Sequence, residues 1–213
     1  MNFDQGHLYH VYNQGNNKQR IFFSEKNYLY FIEKIRNHIL PYADVVAWCL
    51  MPNHFHLLLH PCDSRQATCD SRGATQSHPC STHQVTSSHQ MSITSKEITN
   101  GIAITLRSYT RAINVQENSS GSLFRQKTKA ICLTKNDTIT PTYLNTSSGT
   151  LININTPQSQ YPKICFDYIH KNPVKSGLVS KPENWEFSSA MEFHGIRNNG
   201  LVNIEIAKEF GLI

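Results

Sequence analysis

Val45-Val46-Ala47-Trp48-Cys49-Leu50-Met51-Pro52-Asn53-His54-Phe55-His56-Leu57-Leu58-Leu59-His60 decides the fold, because it holds two strands and the turn between them. Val45 to Leu50 is a continuous apolar run, the pattern of a buried central strand. Met51-Pro52-Asn53 has turn composition, so the chain is expected to reverse there into an antiparallel hairpin. In the second strand successive side chains point to opposite faces. His54 and His56 therefore share one face, and Phe55 and Leu57 share the other. With a strand rise of ~3.3 Å per residue, the two histidines stand roughly 7 Å apart at Cα. That spacing lets both imidazoles converge on one metal ion, while the greasy opposite face holds the strand in a core. Spacing alone fits two polar residues on a wet strand face equally well.

Outward from this hairpin the elements alternate. Gly6 to Tyr12 alternates and is rich in aromatics, as a first strand would be. Ser24 can cap a helix running to about Leu40, with Tyr28, Phe31, Ile32, Ile35 and Ile39 as its apolar stripe, and Pro41 stops it. Beyond the hairpin, Ser95 can cap a helix from about Lys96 to Gln116, with Ile98, Ile102, Leu106, Tyr109 and Ile113 at helical spacing. Leu123 to Leu133 alternates as a further strand. Tyr161 to His170 is expected to be helical, ending at Asn172-Pro173, and Ile204 to Phe210 forms a short last helix. The order strand, helix, strand, strand, helix, strand predicts an α+β domain: a ferredoxin-like split βαβ with a central antiparallel sheet and helices on one face.

Two polar stretches interrupt this pattern. Residues 62–92 are dominated by Ser, Thr, Gln, His and Cys and contain a tandem heptad, Cys-Asp-Ser-Arg-Gln-Ala-Thr at 62–68 and Cys-Asp-Ser-Arg-Gly-Ala-Thr at 69–75. A coiled coil needs apolar a and d positions over several turns, and these repeats have none. A low-complexity insertion is expected there, and a second polar insertion at 134–160. The whole chain, 1–213, is expected to be one domain that carries these insertions, with a C-terminal helical extension over 161–213.

Bulk composition narrows the partners. The net charge is +5. Between Ile93 and Lys135, Lys96, Arg107, Arg111, Arg125, Lys127, Lys129 and Lys135 face only Glu97 and Glu117, an excess equal to that of the whole chain. Such a concentration favours contact with a phosphate backbone. No apolar run is long enough to span a bilayer, and Met1-Asn2-Phe3-Asp4 lacks the regions of a signal peptide. A cytoplasmic protein is expected, with its six irregularly spaced cysteines as free thiols.

Five stretches together carry a family resemblance. They are Tyr9-His10-Val11-Tyr12-Asn13-Gln14-Gly15 with Ile21-Phe22; Met51 to Leu58; Ser108-Tyr109-Thr110-Arg111-Ala112-Ile113-Asn114; Gly121-Ser122-Leu123-Phe124-Arg125-Gln126-Lys127; and Tyr168-Ile169-His170-Lys171-Asn172-Pro173-Val174. In that order they resemble the HUH single-tyrosine transposases, most closely their REP-associated tyrosine transposase branch. The resemblance implies a metal-dependent single-strand DNA endonuclease and strand transferase. His54 and His56 would hold a divalent ion, Mg²⁺ or Mn²⁺. Tyr109 would be the nucleophile, forming a 5′-phosphotyrosine with single-stranded or hairpin DNA. Arg107, Arg111, Arg125, Lys127 and Lys129 would track the DNA backbone, and the protein would act as a monomer or a homodimer.

One feature departs from the better-known family members, which carry a third metal ligand, Gln, four residues after the tyrosine. Position 113 is Ile, so Asn114 and Gln116 are the candidates in its place. Two other readings remain open: a catalytically inactive or domesticated DNA-binding relative, and an unrelated small metal hydrolase. The second lacks both HExxH and an acidic partner at a recognisable spacing.

Overall fold

A computed structural model describes residues 1–62, 87–135, 142–146, 149–153 and 160–213. Four strands, β1 (Tyr9–Gln14), β2 (Ala43–Met51), β3 (His54–Pro61) and β4 (Lys129–Cys132), form one sheet in the order β2-β3-β1-β4. Every neighbouring pair is antiparallel. With α1 (Glu25–His38) between β1 and β2 and α2 (Ser87–Gln116) between β3 and β4, this is the expected split βαβ, in the α+β class. β2 and β3 form the hairpin read from the sequence, with Met51 opposite His54.

The pleat sorts the side chains into two cores. Tyr9, Val11, Trp48, Leu50, Phe55 and Leu57 face α1 and α2, where Phe31, Ile35, Ile98 and Ile102 meet them. Gly101 sets how closely the helices approach, since a methyl group there would collide with the His38 carbonyl oxygen. Asn27 completes the start of α1: its Oδ1 accepts the backbone N–H of Phe23 and of Ser24.

The expectation of helices on one face needs correction. Leu8, Val46, Cys49 and Leu58 point the other way and pack against Cys165, Phe166 and Ile169 of α3 (Tyr161–Lys175) and Ala207 of α4 (Ile204–Glu209). The run Val45–Leu50 is apolar on both sides, so each face of the sheet must be covered. β2 is likewise an edge strand rather than a central one. It is buried along its whole length because the C-terminal extension seals its open side. Leu50 N–H donates to Phe187 O, Ser189 N–H to Trp48 O and Asn203 N–H to Val45 O. The Trp185 indole N–H donates to Leu50 O. An edge hidden in this way offers no unpaired ladder to another chain.

Several boundaries differ from expectation: the first strand, expected over Gly6 to Tyr12, is Tyr9–Gln14, and the strand expected over Leu123 to Leu133 is confined to Lys129–Cys132. α2 starts at Ser87, and Ser95 lies inside it, its hydroxyl accepting from Phe3 N–H instead of capping. α3 runs through Pro173 to Lys175. Its next turn closes with Ser176 N–H on Asn172 O, a bond that does not involve the missing proline N–H. Within 134–160, β5 (Thr142–Thr146) and β6 (Gly149–Asn153) pair as a separate antiparallel hairpin. The heptad repeat falls almost wholly at 63–86, outside the described residues. Among the described residues Cys49, Cys62, Cys132 and Cys165 are free thiols, and no helix is long and apolar enough to cross a membrane.

Candidate active site

The polar face of β3 and β1 assembles a cluster beneath α3. His56 is paired with Tyr12 across the strands, and the diagonal neighbour His10 lies on the same face. His10 Nε2 is 2.9 Å from His56 Nδ1. The other nitrogen of His56, Nε2, is 3.1 Å from Asn172 Nδ2 on α3. An amide nitrogen only donates, so His56 Nε2 accepts and the His56 proton sits on Nδ1, donated to His10. His54 has the same tautomer: its Nδ1 is 2.6 Å from Asn53 Oδ1, an acceptor. The two rings stand edge to face with centroids 5.0 Å apart.

Burial keeps these imidazoles neutral. It pushes His56 well below the ordinary histidine range, with the neighbouring His10 and His54 adding to the effect. It lowers His54 as well, against a hydrogen bond with Asn172 that raises it. His10 is brought down to about 4 by burial. Neutral imidazole with an unprotonated Nε2 is the form that binds a metal. The donor set therefore suits a divalent ion held by His54 and His56, with the Asn172 side chain beside both. Among the described residues no three His, Cys, Asp or Glu side chains are grouped to hold a metal. The set here is two imidazoles and an amide.

Two tyrosines border this cluster: Tyr12 of β1, its ring centroid 4.7 Å from that of His10 and 5.8 Å from that of His56, and Tyr168 of α3, which alone of the two belongs to the helix that carries Asn172. The Tyr168 ring centroid lies 5.3 Å from that of His56 and 6.3 Å from that of His10. It remains 39% exposed. Burial raises its pKa and a hydrogen bond with Asn172 pulls the other way. The Lys175 ammonium lies 5.4 Å from the ring centroid. Tyr168 and Asn172 are four residues apart on one helix, hence on one face of it.

Tyr109 is not brought to the histidines. It is fully buried on the opposite face of the sheet, among Phe22, Phe31 and Phe124 in the core that contains Phe55. Its hydroxyl donates to Ile21 O at 2.8 Å, and burial raises its pKa. The cause lies in α2, which covers the Phe55 face and turns its apolar stripe, Tyr109 included, toward the sheet. Asn114 and Gln116 stay with α2 as well. Asn114 Nδ2 donates to Gly121 O, and Gln116 exchanges hydrogen bonds with Asn27. Neither reaches His54 or His56 through any of these contacts.

The basic residues do come together. Arg107, Arg111, Arg125, Lys127 and Lys129 line one open groove of about 1440 Å³ between α2 and the segment leading into β4. Asn13 holds that segment, donating to Arg125 O and Thr128 Oγ1. None of the five cations makes an ion pair among the described residues. The groove lies on the α2 face of the sheet and Tyr168 on the α3 face, with β4 as the edge between them.

Sequence reasoning missed His10, Tyr168 and Asn172 as site residues. A signal for the last two was present: the amide four residues after the tyrosine, absent after Tyr109, is met by Asn172 after Tyr168.

No family model and no curated protein matches the chain. Among solved structures it is similar to a REP-associated tyrosine transposase bound to a REP hairpin. The identity is 16%, the match covers 96% of this chain and 86% of that one, and the TM-score is 0.46.

Proposed function

We propose that this chain is a cytoplasmic, metal-assisted DNA endonuclease and strand transferase of the tyrosine transposase kind, with Tyr168 as its nucleophile. The observation that carries the reading is the convergence of exposed Tyr168, Asn172 and the neutral pair His54 and His56 on one face of the sheet. His54, His56 and the Asn172 amide would hold the ion, Mn²⁺ or Mg²⁺, imidazole favouring the former. When bound, such an ion supplies Lewis-acid polarisation of the scissile phosphate. Tyr168 Oη forms the new bond to phosphorus as the bond from phosphorus to the 3′ oxygen breaks. The phenol proton ends on the departing 3′ oxygen, leaving a 5′-phosphotyrosine and a free 3′-hydroxyl. The ester retains the bond energy, so a second 3′-hydroxyl can rejoin the strand without ATP.

Arg107, Arg111, Arg125, Lys127 and Lys129 would carry the backbone of the same single-stranded or hairpin DNA along the groove. Tyr168 and both histidines come from one chain, which supports action by a single copy. The inactive, DNA-binding alternative rests on the repeats at 62–75 and on the missing amide after Tyr109. Asn172 supplies an amide at the same spacing from Tyr168, and this favours the catalytic reading.

The test is incubation with labelled hairpin DNA carrying a single-stranded flank, in Mn²⁺, followed by a denaturing gel. Wild type and Tyr109→Phe should yield a covalent adduct and Tyr168→Phe none. An adduct formed by Tyr168→Phe at the wild-type rate would overturn the assignment.

A further inference from the structure

His10 and His56 form a buried pair on the α3 face of the sheet, and among the described residues neither makes an ion pair with an acid. His10 is 9% exposed and His56 5%. The His10 ring stacks between Tyr12, with centroids 4.7 Å apart, and His56, at 5.1 Å. Its Nε2 meets His56 Nδ1 at 2.9 Å, a normal hydrogen-bond length. On the other side of His56, Asn172 Nδ2 takes up the Nε2 lone pair. The ring is thus fixed at both nitrogens.

We infer that His10 is a positioning residue that fixes His56 in its Nδ1–H tautomer, leaving Nε2 as the nitrogen offered to a divalent cation. This rests on the proposed metal site but makes its own claim about the free protein. A neutral imidazole can carry its proton on either nitrogen, and only one of the two forms presents a lone pair toward α3. The alternative tautomer would put an N–H on Nε2 facing the Asn172 amide nitrogen, donor against donor, and would require His10 to move its own proton to Nε2 to keep the bond to His56. Partners of this kind orient metal-binding histidines in general, and their loss typically costs 10–100-fold in metal affinity. β1 supplies the partner because Tyr12 is in register with His56, which sets His10 diagonally against it on the same face.

Two variants separate the tautomer from mere packing. His10→Phe keeps a ring against Tyr12 and removes the acceptor. His10→Gln restores an acceptor, its side-chain carbonyl, without the ring. Two readouts are taken on folded protein of each variant: the ¹⁵N shifts of the His56 ring in metal-free samples, and Mn²⁺ affinity by calorimetry. Wild type and His10→Gln should show His56 protonated at Nδ1. His10→Phe should show mixed or Nε2 protonation and bind Mn²⁺ 10–100-fold more weakly. An unchanged Nδ1–H signal in His10→Phe overturns the inference, as does Mn²⁺ affinity equal to wild type. If wild type binds no Mn²⁺, the proposed metal site fails, and the metal-free spectra still decide the role of His10. If His10→Phe does not fold, His10→Gln decides: its His56 must keep the Nδ1 proton, and an Nε2 proton there overturns the inference.

Discussion

Replacing Tyr109 by Phe separates a structural tyrosine from a chemical one. The ring is fully buried and packs against Phe22, Phe31 and Phe124, and Phe preserves all of those contacts. Only the hydroxyl is lost, and with it the 2.8 Å bond to Ile21 O. Ile21 is itself fully buried, so its carbonyl would be left without that donor in a place with little access to water. A buried acceptor stripped of its partner costs about 1–3 kcal/mol. At this chain length each kcal/mol moves Tm by about 2–4 °C, so Tyr109→Phe should melt roughly 2–12 °C lower. Tyr109→Ala also removes the ring and should cost about 3–5 kcal/mol. Both numbers come from circular dichroism melts at fixed salt and pH. The Phe variant, assayed well below its Tm, should form the DNA adduct at the wild-type rate. A variant that melts like wild type yet forms no adduct would refute the reasoning and return the nucleophile to α2.

The other expected outcomes follow from the same geometry. The double variant His54→Ala/His56→Ala should keep its melting transition and lose Mn²⁺ binding by calorimetry; equal affinity would end the metal-site reading. His10 and His170 are both held neutral by burial, with pKa values near about 4, against ~6.5 in the unfolded chain. Their folded pKa is depressed, so the stability they contribute is full above about pH 6.5 and is lost as pH falls toward 4. Unfolding then takes up about two protons, worth roughly 2–3 kcal/mol per pH unit. A Tm that stays flat from pH 7 to pH 5 would contradict this. In the groove, changing Arg107, Arg111 and Lys127 together to Ala should weaken hairpin binding and reduce the steepness of its salt dependence by about two to three, read from binding isotherms between 50 and 200 mM salt; an unchanged slope would place the backbone elsewhere.

Local pattern was enough for the sheet. The hairpin around Pro52-Asn53, the stripes of α1 and α2, and the alternation of His54, Phe55 and His56 each follow from spacing. What spacing cannot supply is which face of the sheet a helix covers. Tyr109 and Tyr168 both lie on helices, and the family resemblance assigns the nucleophile to Tyr109, which stands between Arg107 and Arg111. Those arginines instead line a groove beside α2 while Tyr109 turns inward with Ile102 and Ile113. Tyr168 could have been recognised from the Asn172 spacing. His10 could not, because its pairing with His56 depends on the register between β1 and β3, strands separated by more than forty residues in sequence. The edge position of β2 was equally hidden, since a strand sealed by a distant C-terminal segment has the same apolar run as one sealed by two neighbours.

The central claim is that the α3 tyrosine attacks DNA. Its most direct test is peptide mapping of the wild-type covalent adduct: trap the complex on hairpin DNA in Mn²⁺, digest both DNA and protein, and locate the nucleotide-bearing tyrosine by tandem mass spectrometry. The account predicts the modification on the peptide containing Tyr168, between Lys163 and Lys171. A modification on the peptide containing Tyr109, between Arg107 and Arg111, would contradict it.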